Sequence, residues 1–322
     1  MSKIDIISGF LGAGKTTLIK KLIAEAYQNE KIVLIENEFG EIGIDGTFLK
    51  DSGVTINEMN SGCICCSLVG DFETSLKEVL DTYHPDRVII EPSGVGKLSD
   101  VIKAVSTVNS DEMELDNFIT VVDAKKCRMY TKNFGEFYNN QVEHASLIVL
   151  SRSQDLTEFQ LKECLDILKG LNDHSPIITT AWDKLNGLDI INACEVNIQE
   201  ELLHEHEHHH EHDENCTCGC HDHDHHHHHH ADEIFTSWGF ETPATYTTEE
   251  VEGFLKELDN EEKYGIVLRA KGMIPAADGT WIYFDYVPEE SNVRAGKPDV
   301  TGKICVIGSK LKEAELENLF RK

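Results

Sequence analysis

The chain has 322 residues, with 58 acidic against 29 basic side chains, a formal net charge of −29 and ten cysteines. So acidic a surface offers no basic footprint for a phosphodiester backbone, which excludes nucleic acid as a partner and favours cations. No apolar run approaches the roughly 20 residues needed to span a bilayer, so no membrane partner is expected, and two domains are more natural than one at this size.

Met1 leads almost at once into the first predicted strand, Ile4-Asp5-Ile6-Ile7-Ser8, which points away from secretion. That strand runs into Gly9-Phe10-Leu11-Gly12-Ala13-Gly14-Lys15-Thr16, then Thr17 and a helix-forming stretch from Leu18 to Ala26. G-x-x-x-x-G-K-T between a strand and a helix lets backbone N–H groups and a helix N-terminus converge on phosphates, so the expected ligand is a nucleoside triphosphate. Gly9, Gly12 and Gly14 permit a backbone path closed to residues with a Cβ, and Gly12, Ala13, Gly14 and Thr17 line the phosphates. Lys15 reaches the β- and γ-phosphates, while the Thr16 hydroxyl ligates Mg²⁺.

Gly62-Cys63-Ile64-Cys65-Cys66 comes next, between a strand-like segment, Val54 to Asn57, and a helix opening near Asp71. In an extended chain Cys63 and Cys65 point one way and Cys66 the other, so three thiolates on one ion require the backbone to bend. Thiolates near a helix N-terminus ionise more readily and suit Zn²⁺ or a similar cation. Such spacing is for metal rather than disulfide bridges, and the expected setting is reducing and cytoplasmic.

Short branched runs alternate with helical ones as far as residue 195: strands at Ile32 to Ile35, Val88 to Ile90, Phe118 to Val122, Leu147 to Leu150 and Pro176 to Ile178, helices at Phe72 to Tyr83 and Glu158 to Leu168. This rhythm predicts an α/β domain over 1–199 of the P-loop NTPase kind, a mostly parallel sheet flanked by helices with ligands at the strand ends. Glu91, closing the strand before Pro92-Ser93-Gly94, can hold Mg²⁺ through water or orient the attacking water, and Gly94 can offer its N–H to the γ-phosphate. After Leu150 stands Ser151-Arg152-Ser153-Gln154-Asp155, where GTPases carry Asn-Lys-x-Asp. Asp155 is in register counted from Arg152 and one residue late counted from Ser151. It is the acid expected to accept hydrogen bonds from guanine, which favours GTP over ATP.

Residues 200–232 hold most of the histidines and almost no large apolar side chains, so they form a linker without a core. Here His204, His206, His208, His210 and His212 lead to Cys216, Cys218 and Cys220, then His221, His223 and His225. Imidazole and thiolate at this density offer many overlapping sets for Zn²⁺, Co²⁺ or Ni²⁺, a loading buffer that keeps ions on the order of mM near the folded domain. Residues 233–322 read as a small α+β domain, with strands at Ile266 to Ala270, Trp281 to Val287 and Ile304 to Ile307 in a half-exposed sheet, and helices near Thr248 to Leu258 and Leu311 to Leu319.

Ser8 to Leu18, Glu36-Asn37-Glu38-Phe39-Gly40-Glu41, Gly62 to Cys66, Glu91 to Gly94 and the C-terminal domain together resemble the CobW-like family of metal-handling P-loop GTPases. The resemblance implies GTP hydrolysis coupled to delivery of Zn²⁺ or a related ion to a client protein. It also implies metal binding at Glu36, Glu41 and Cys65, and an internal site at Cys63, Cys65 and Cys66. On order along the chain, Glu36 to Glu41 is a switch-like segment, so nucleotide state and metal affinity are expected to be reciprocal. A metal- or nucleotide-dependent homodimer is compatible with this reading. Two other functions share parts of the pattern: metal storage with a largely structural nucleotide site, and a small-molecule kinase, for which no arginine-rich lid is found.

Overall fold

The computed structural model describes residues 1–37, 55–59, 69–108, 112–194, 231–299 and 301–321. Its first domain is built on seven strands: β1 (Ser2–Gly9), β2 (Ile32–Asn37), β3 (Thr55–Met59), β4 (Arg87–Glu91), β5 (Met113–Asp123), β6 (Leu147–Ser151) and β7 (Ile177–Ile178). They lie in the order β3-β2-β4-β1-β5-β6-β7, and every pairing among them is parallel. All but one residue of β1 are buried, as a strand covered on both faces requires.

Alternation along β1 distributes its side chains between two helical layers. Ile7 packs with Leu18 and Leu22 of α1 (Lys15–Glu25) and with Ile190 of α6, helical over 187–194. Ile4 and Ile6 pack with Phe72 and Leu76 of α2 (Val69–Tyr83) and Leu98 and Val101 of α3 (Leu98–Thr107). Two further helices, α4 (Cys127–Glu143) and α5 (Glu158–Leu171), cover the far half of the sheet. A reciprocal pair starts α5: the Thr157 hydroxyl accepts from the Gln160 N–H while the Gln160 side chain accepts from the Thr157 N–H.

Away from the strand ends that carry the phosphate loop, a buried ionic network ties β1 to β4. Arg87 donates to Asp5 at 2.7 Å, to Asp116 at 3.0 Å and to Glu30 at 2.6 Å, and Asn117 and Tyr27 also donate to Asp5. Burial raises the Asp5 carboxyl above the ordinary value of 3.8, against the pull of Arg87 and of its two neutral donors.

The second domain opens with the short helix α7 (Ala231–Ile234), which straddles the boundary expected at 232/233. Five strands follow, β8 (Thr236–Thr242), β9 (Ile266–Pro275), β10 (Trp281–Val287), β11 (Glu290–Gly296) and β12 (Gly302–Ser309), in an antiparallel sheet ordered β11-β10-β9-β12-β8. Its helices are α8 (Thr248–Glu257), α9 (Glu261–Tyr264) and α10 (Glu313–Phe320). One face, with Ala270, Phe284, Ile304 and Val306, packs on Val251 and Leu255 of α8 and on Leu316 and Phe320 of α10. The expected half-exposed sheet is corrected here: Met273, Cys305 and Ile307 of the opposite face join Phe10, Leu11, Phe137 and Tyr138 in one core shared by both domains. Phe235, just after α7, seals the junction, its ring 5.2 Å from that of Phe137 and 6.1 Å from that of Phe10. Among the described residues no helix is long and apolar enough to cross a membrane.

Candidate nucleotide and metal site

β1 and β4 are neighbours, so the loop leaving β1 and the acid ending β4 meet at one end of the sheet. Gly9 has φ of 144°, and a Cβ there would stand 2.4 Å from the Val121 carbonyl oxygen. Gly14 caps α1 at φ of 110°, a left-handed conformation open to glycine, and lacks a side chain that could occupy the helix's first N–H groups. Gly9→Ala therefore costs about 1–3 kcal/mol of stability through strain alone, more with the clash, and displaces the loop. A denaturant midpoint and a nucleotide titration check both effects.

Lys15 is buried and donates to the Gly9 carbonyl at 3.0 Å, folded back along its own loop. The Thr16 hydroxyl lies 3.1 and 3.2 Å from the two carboxylate oxygens of Glu91. Glu36, buried near the end of β2, is the register partner of Glu91. The Thr16 hydroxyl and the Glu91 carboxylate are hard oxygen donors of the kind that suits Mg²⁺. Gly94 packs under the phosphate loop, where a Cβ would come 2.9 Å from the Leu11 nitrogen, and Gln141 of α4 donates to the Gly94 and Gly96 carbonyls at 3.2 and 2.7 Å.

Two recesses flank the loop. One, of about 330 Å³, is lined by Gly12, Gly14, Lys15, Thr16, Thr17 and Glu91 together with residues of β9 to β11. The other, of about 430 Å³, is lined by Ala13, Gly14, Thr17, Ser151, Gln154 and Trp182, among others. Trp182 is fixed by donating its indole N–H to the Leu150 carbonyl at 2.8 Å, and its ring edge lies against Gly14. Asp155 is exposed in a 3₁₀ turn and outside this lining, whereas Gln154 is within it. Gln154 is the residue reached by the count from Ser151, and Asp155 the one reached by the count from Arg152.

Arg152, at φ of 57°, joins three parts of the site. Its guanidinium donates to the Gly12 carbonyl at 3.1 Å, to Asp123 at 3.2 Å and to Glu290 of β11 at 2.9 Å. Asp123 is buried at the end of β5, and burial lifts its carboxyl above the ordinary range against the opposing Arg152 charge. Sequence reasoning passed over Asp123, Trp182 and Glu290. An acid ending a buried branched run was a usable signal for Asp123, as it was for Glu91; Trp182 and Glu290 gave none.

Glu41, Cys63, Cys65, Cys66 and the whole of the tract from His204 to His230 lie outside the described residues. Among the described residues no group of three or more His, Cys, Asp or Glu side chains is placed to hold a metal ion. Their four cysteines, Cys127, Cys164, Cys194 and Cys305, are buried and reduced. The described flank of the Cys63 to Cys66 segment is informative: β3 pairs in parallel with β2, and Met59 stands opposite Asn37, next to Glu36. β3, which precedes the cysteines in sequence, therefore finishes at the end of the sheet where Glu36 and Glu91 stand.

The profile described as the CobW/HypB/UreG nucleotide-binding domain matches residues 3–179, and that of the cobalamin synthesis protein CobW C-terminal domain matches residues 235–322. A zinc chaperone of Escherichia coli K12, YeiR, is 34% identical over 158 residues, covering 49% of this chain and 48% of the relative. The zinc chaperone CobW of a Sinorhizobium species is 32% identical over 205 residues, covering 55% and 58%. The zinc-regulated GTPase metalloprotein activator 1 of Schizosaccharomyces pombe is 25% identical over 342 residues, covering 96% of this chain and 82% of the relative. The chain spans about half the length of the first two relatives. With the phosphate loop, the Thr16–Glu91 pair and two profiles matched in sequence along its length, the chain belongs to the CobW/HypB/UreG family of nucleotide-binding domains and carries the CobW C-terminal domain.

Proposed function

We propose that the chain is a GTP-hydrolysing metallochaperone that takes up Zn²⁺, or Co²⁺ or Ni²⁺ by the same ligand chemistry, and passes it to a client metalloprotein. The observation that carries this reading is the Thr16–Glu91 contact beside the phosphate loop, with Glu36 in register with Glu91 and β3, the strand that precedes Cys63, Cys65 and Cys66 in sequence, paired to β2. The names of the relatives, zinc chaperones and a zinc-regulated GTPase activator, favour zinc as cargo. Thiolate ligands fit a reducing, cytoplasmic setting. A homodimer that depends on metal or nucleotide belongs to the same reading.

In this mechanism the N–H groups of Gly12 to Thr17 and the start of α1 hold the phosphates. Lys15 leaves the Gly9 carbonyl for the β- and γ-phosphates, and Glu91 accepts a hydrogen bond from the attacking water, keeping it in line with the γ-phosphorus. Thr16 and Glu91 would hold Mg²⁺, which would supply positive charge against the developing negative charge of the phosphates. The recess beside Trp182 takes the base, with Gln154 facing it. A carboxamide both donates and accepts, so it discriminates guanine from adenine less sharply than the carboxylate expected at Asp155.

Steady-state phosphate release with GTP, with and without Zn²⁺, tests the activity. Turnover that responds to the metal supports a chaperone; binding of nucleotide and metal with no turnover in either condition leaves only storage. Deleting residues 204–230 lowers metal stoichiometry while sparing GTP turnover, read by metal analysis and phosphate release on one preparation. Metal held by the tract also weakens as pH falls below the imidazole value of about 6.5, because protons compete for the same nitrogens.

A further inference from the structure

The recess at the phosphate loop is walled by two domains. Opposite Gly12, Lys15 and Thr16 stand Arg269 and Lys271 of β9, Asp285 of β10, and Asn292 and Arg294 of β11. Strand periodicity accounts for this set. Arg269 and Lys271 are two residues apart and share a face with Met273, which packs in the joint core; Asp285 stands opposite Lys271, and Asn292 opposite Asp285. One half of the face is apolar and docks the domain, and the other half is polar and covers the loop.

The approach is close. A Cβ on Gly12 would meet the Val287 side chain at 2.2 Å, so the β10–β11 turn rests directly on the phosphate loop. Lys126 donates to the Pro288 carbonyl, and Arg152 clasps Glu290 while holding the Gly12 carbonyl. Six lysines and arginines line the recess against three carboxylates, an excess of positive charge in a chain whose net charge is −29. Lys271 is only 6% exposed, and Arg294 is held by Asp285 at 2.5 Å and Asn292 at 3.3 Å. A lysine kept so far from water meets an anion in a medium where attraction is screened much less than at the surface.

We propose that the C-terminal domain forms the second half of the triphosphate site, with Lys271 and Arg269 binding the terminal phosphate of the nucleotide across the domain junction and Arg294 completing that wall. The inference rests on the reading of the loop as a nucleoside triphosphate site and adds who else holds the ligand. A terminal phosphate then clamps the two domains, and its loss on hydrolysis releases the clamp.

The test is equilibrium binding of GDP and of a non-hydrolysable GTP analogue to the full-length protein and to Lys271→Met, Lys271→Arg and Arg269→Gln. Lys271→Met should weaken the GTP analogue by at least about tenfold, the scale of one charge-assisted phosphate contact, and GDP by clearly less. Lys271→Arg should recover most of the difference. Arg269→Gln carries the same expectation and decides the matter if Lys271→Met does not fold. Equal losses for the two nucleotides, or none, overturn the proposal while leaving the nucleotide site intact. Failure of the unaltered protein to bind either nucleotide overturns the underlying reading as well.

Discussion

Lys15→Ala lowers steady-state GTP hydrolysis by at least about 10³-fold, the scale expected when a fixed charge aimed at a transferring phosphoryl group is lost. Its ammonium is buried 3.0 Å from the Gly9 carbonyl, inside the loop that surrounds the phosphates, where it alone among the lysines and arginines of the recess belongs to the loop itself. Truncation leaves the backbone turn untouched, because the loop conformation is set by glycines at φ of 144°, 70° and 110°. The unfolding midpoint should therefore stay near that of the parent protein, and the metal capacity of residues 204–230 should not change. Phosphate release and metal titration on the same sample check both parts. Activity retained within about tenfold would remove Lys15 from the chemistry.

The largest stability loss is expected far from the nucleotide. Arg87→Met leaves the fully buried Asp5 carboxylate without its cation and should cost about 3–5 kcal/mol, measured by denaturant unfolding at neutral pH. The pH dependence has a definite sign. Burial already raises the Asp5 carboxyl above 3.8, and loss of Arg87 raises it further. Where the folded state binds a proton that the unfolded state does not, stability falls as pH rises. The deficit of the variant relative to the parent is therefore full above the raised folded value and shrinks as pH falls toward 3.8. A deficit that grows on acidification would assign the cost to something other than an unpaired carboxylate.

The parallel sheet was legible because its strands are short, branched and buried on both faces, as Val88 to Ile90 and Leu147 to Leu150 are. The phosphate loop and Glu91 were legible because spacing and burial combine there. Less visible was α4: its buried side chains include Tyr130, Phe134, Tyr138 and Gln141, an aromatic and polar mixture without a clean apolar stripe. The strand β11 was missed for a related reason, since it reads Glu-Ser-Asn-Val-Arg-Ala-Gly and carries almost no apolar signal, while β8 was missed although Trp238 and Phe240 alternate along it. Polar alternation in the second domain looked like a solvent face, when part of it covers the other domain. Pattern reports that a face is polar, and only the fold reports whether water or a phosphate pocket lies against it. Loop backbone has the same limit, because the chain just past β6 turns through a left-handed Arg152, which no residue type announces.

Nucleotide state is proposed to set metal affinity, with Thr16, Glu36 and Glu91 at one end of the β2–β4–β1 sheet as the shared elements. Zn²⁺ affinity, measured by competition with a buffered chelator on protein lacking residues 204–230, isolates the internal site from the tract. Affinities with GDP and with a non-hydrolysable GTP analogue should differ at least about fivefold, the lower end of ordinary coupling between sites. Identical affinities in the two nucleotide states would contradict that coupling.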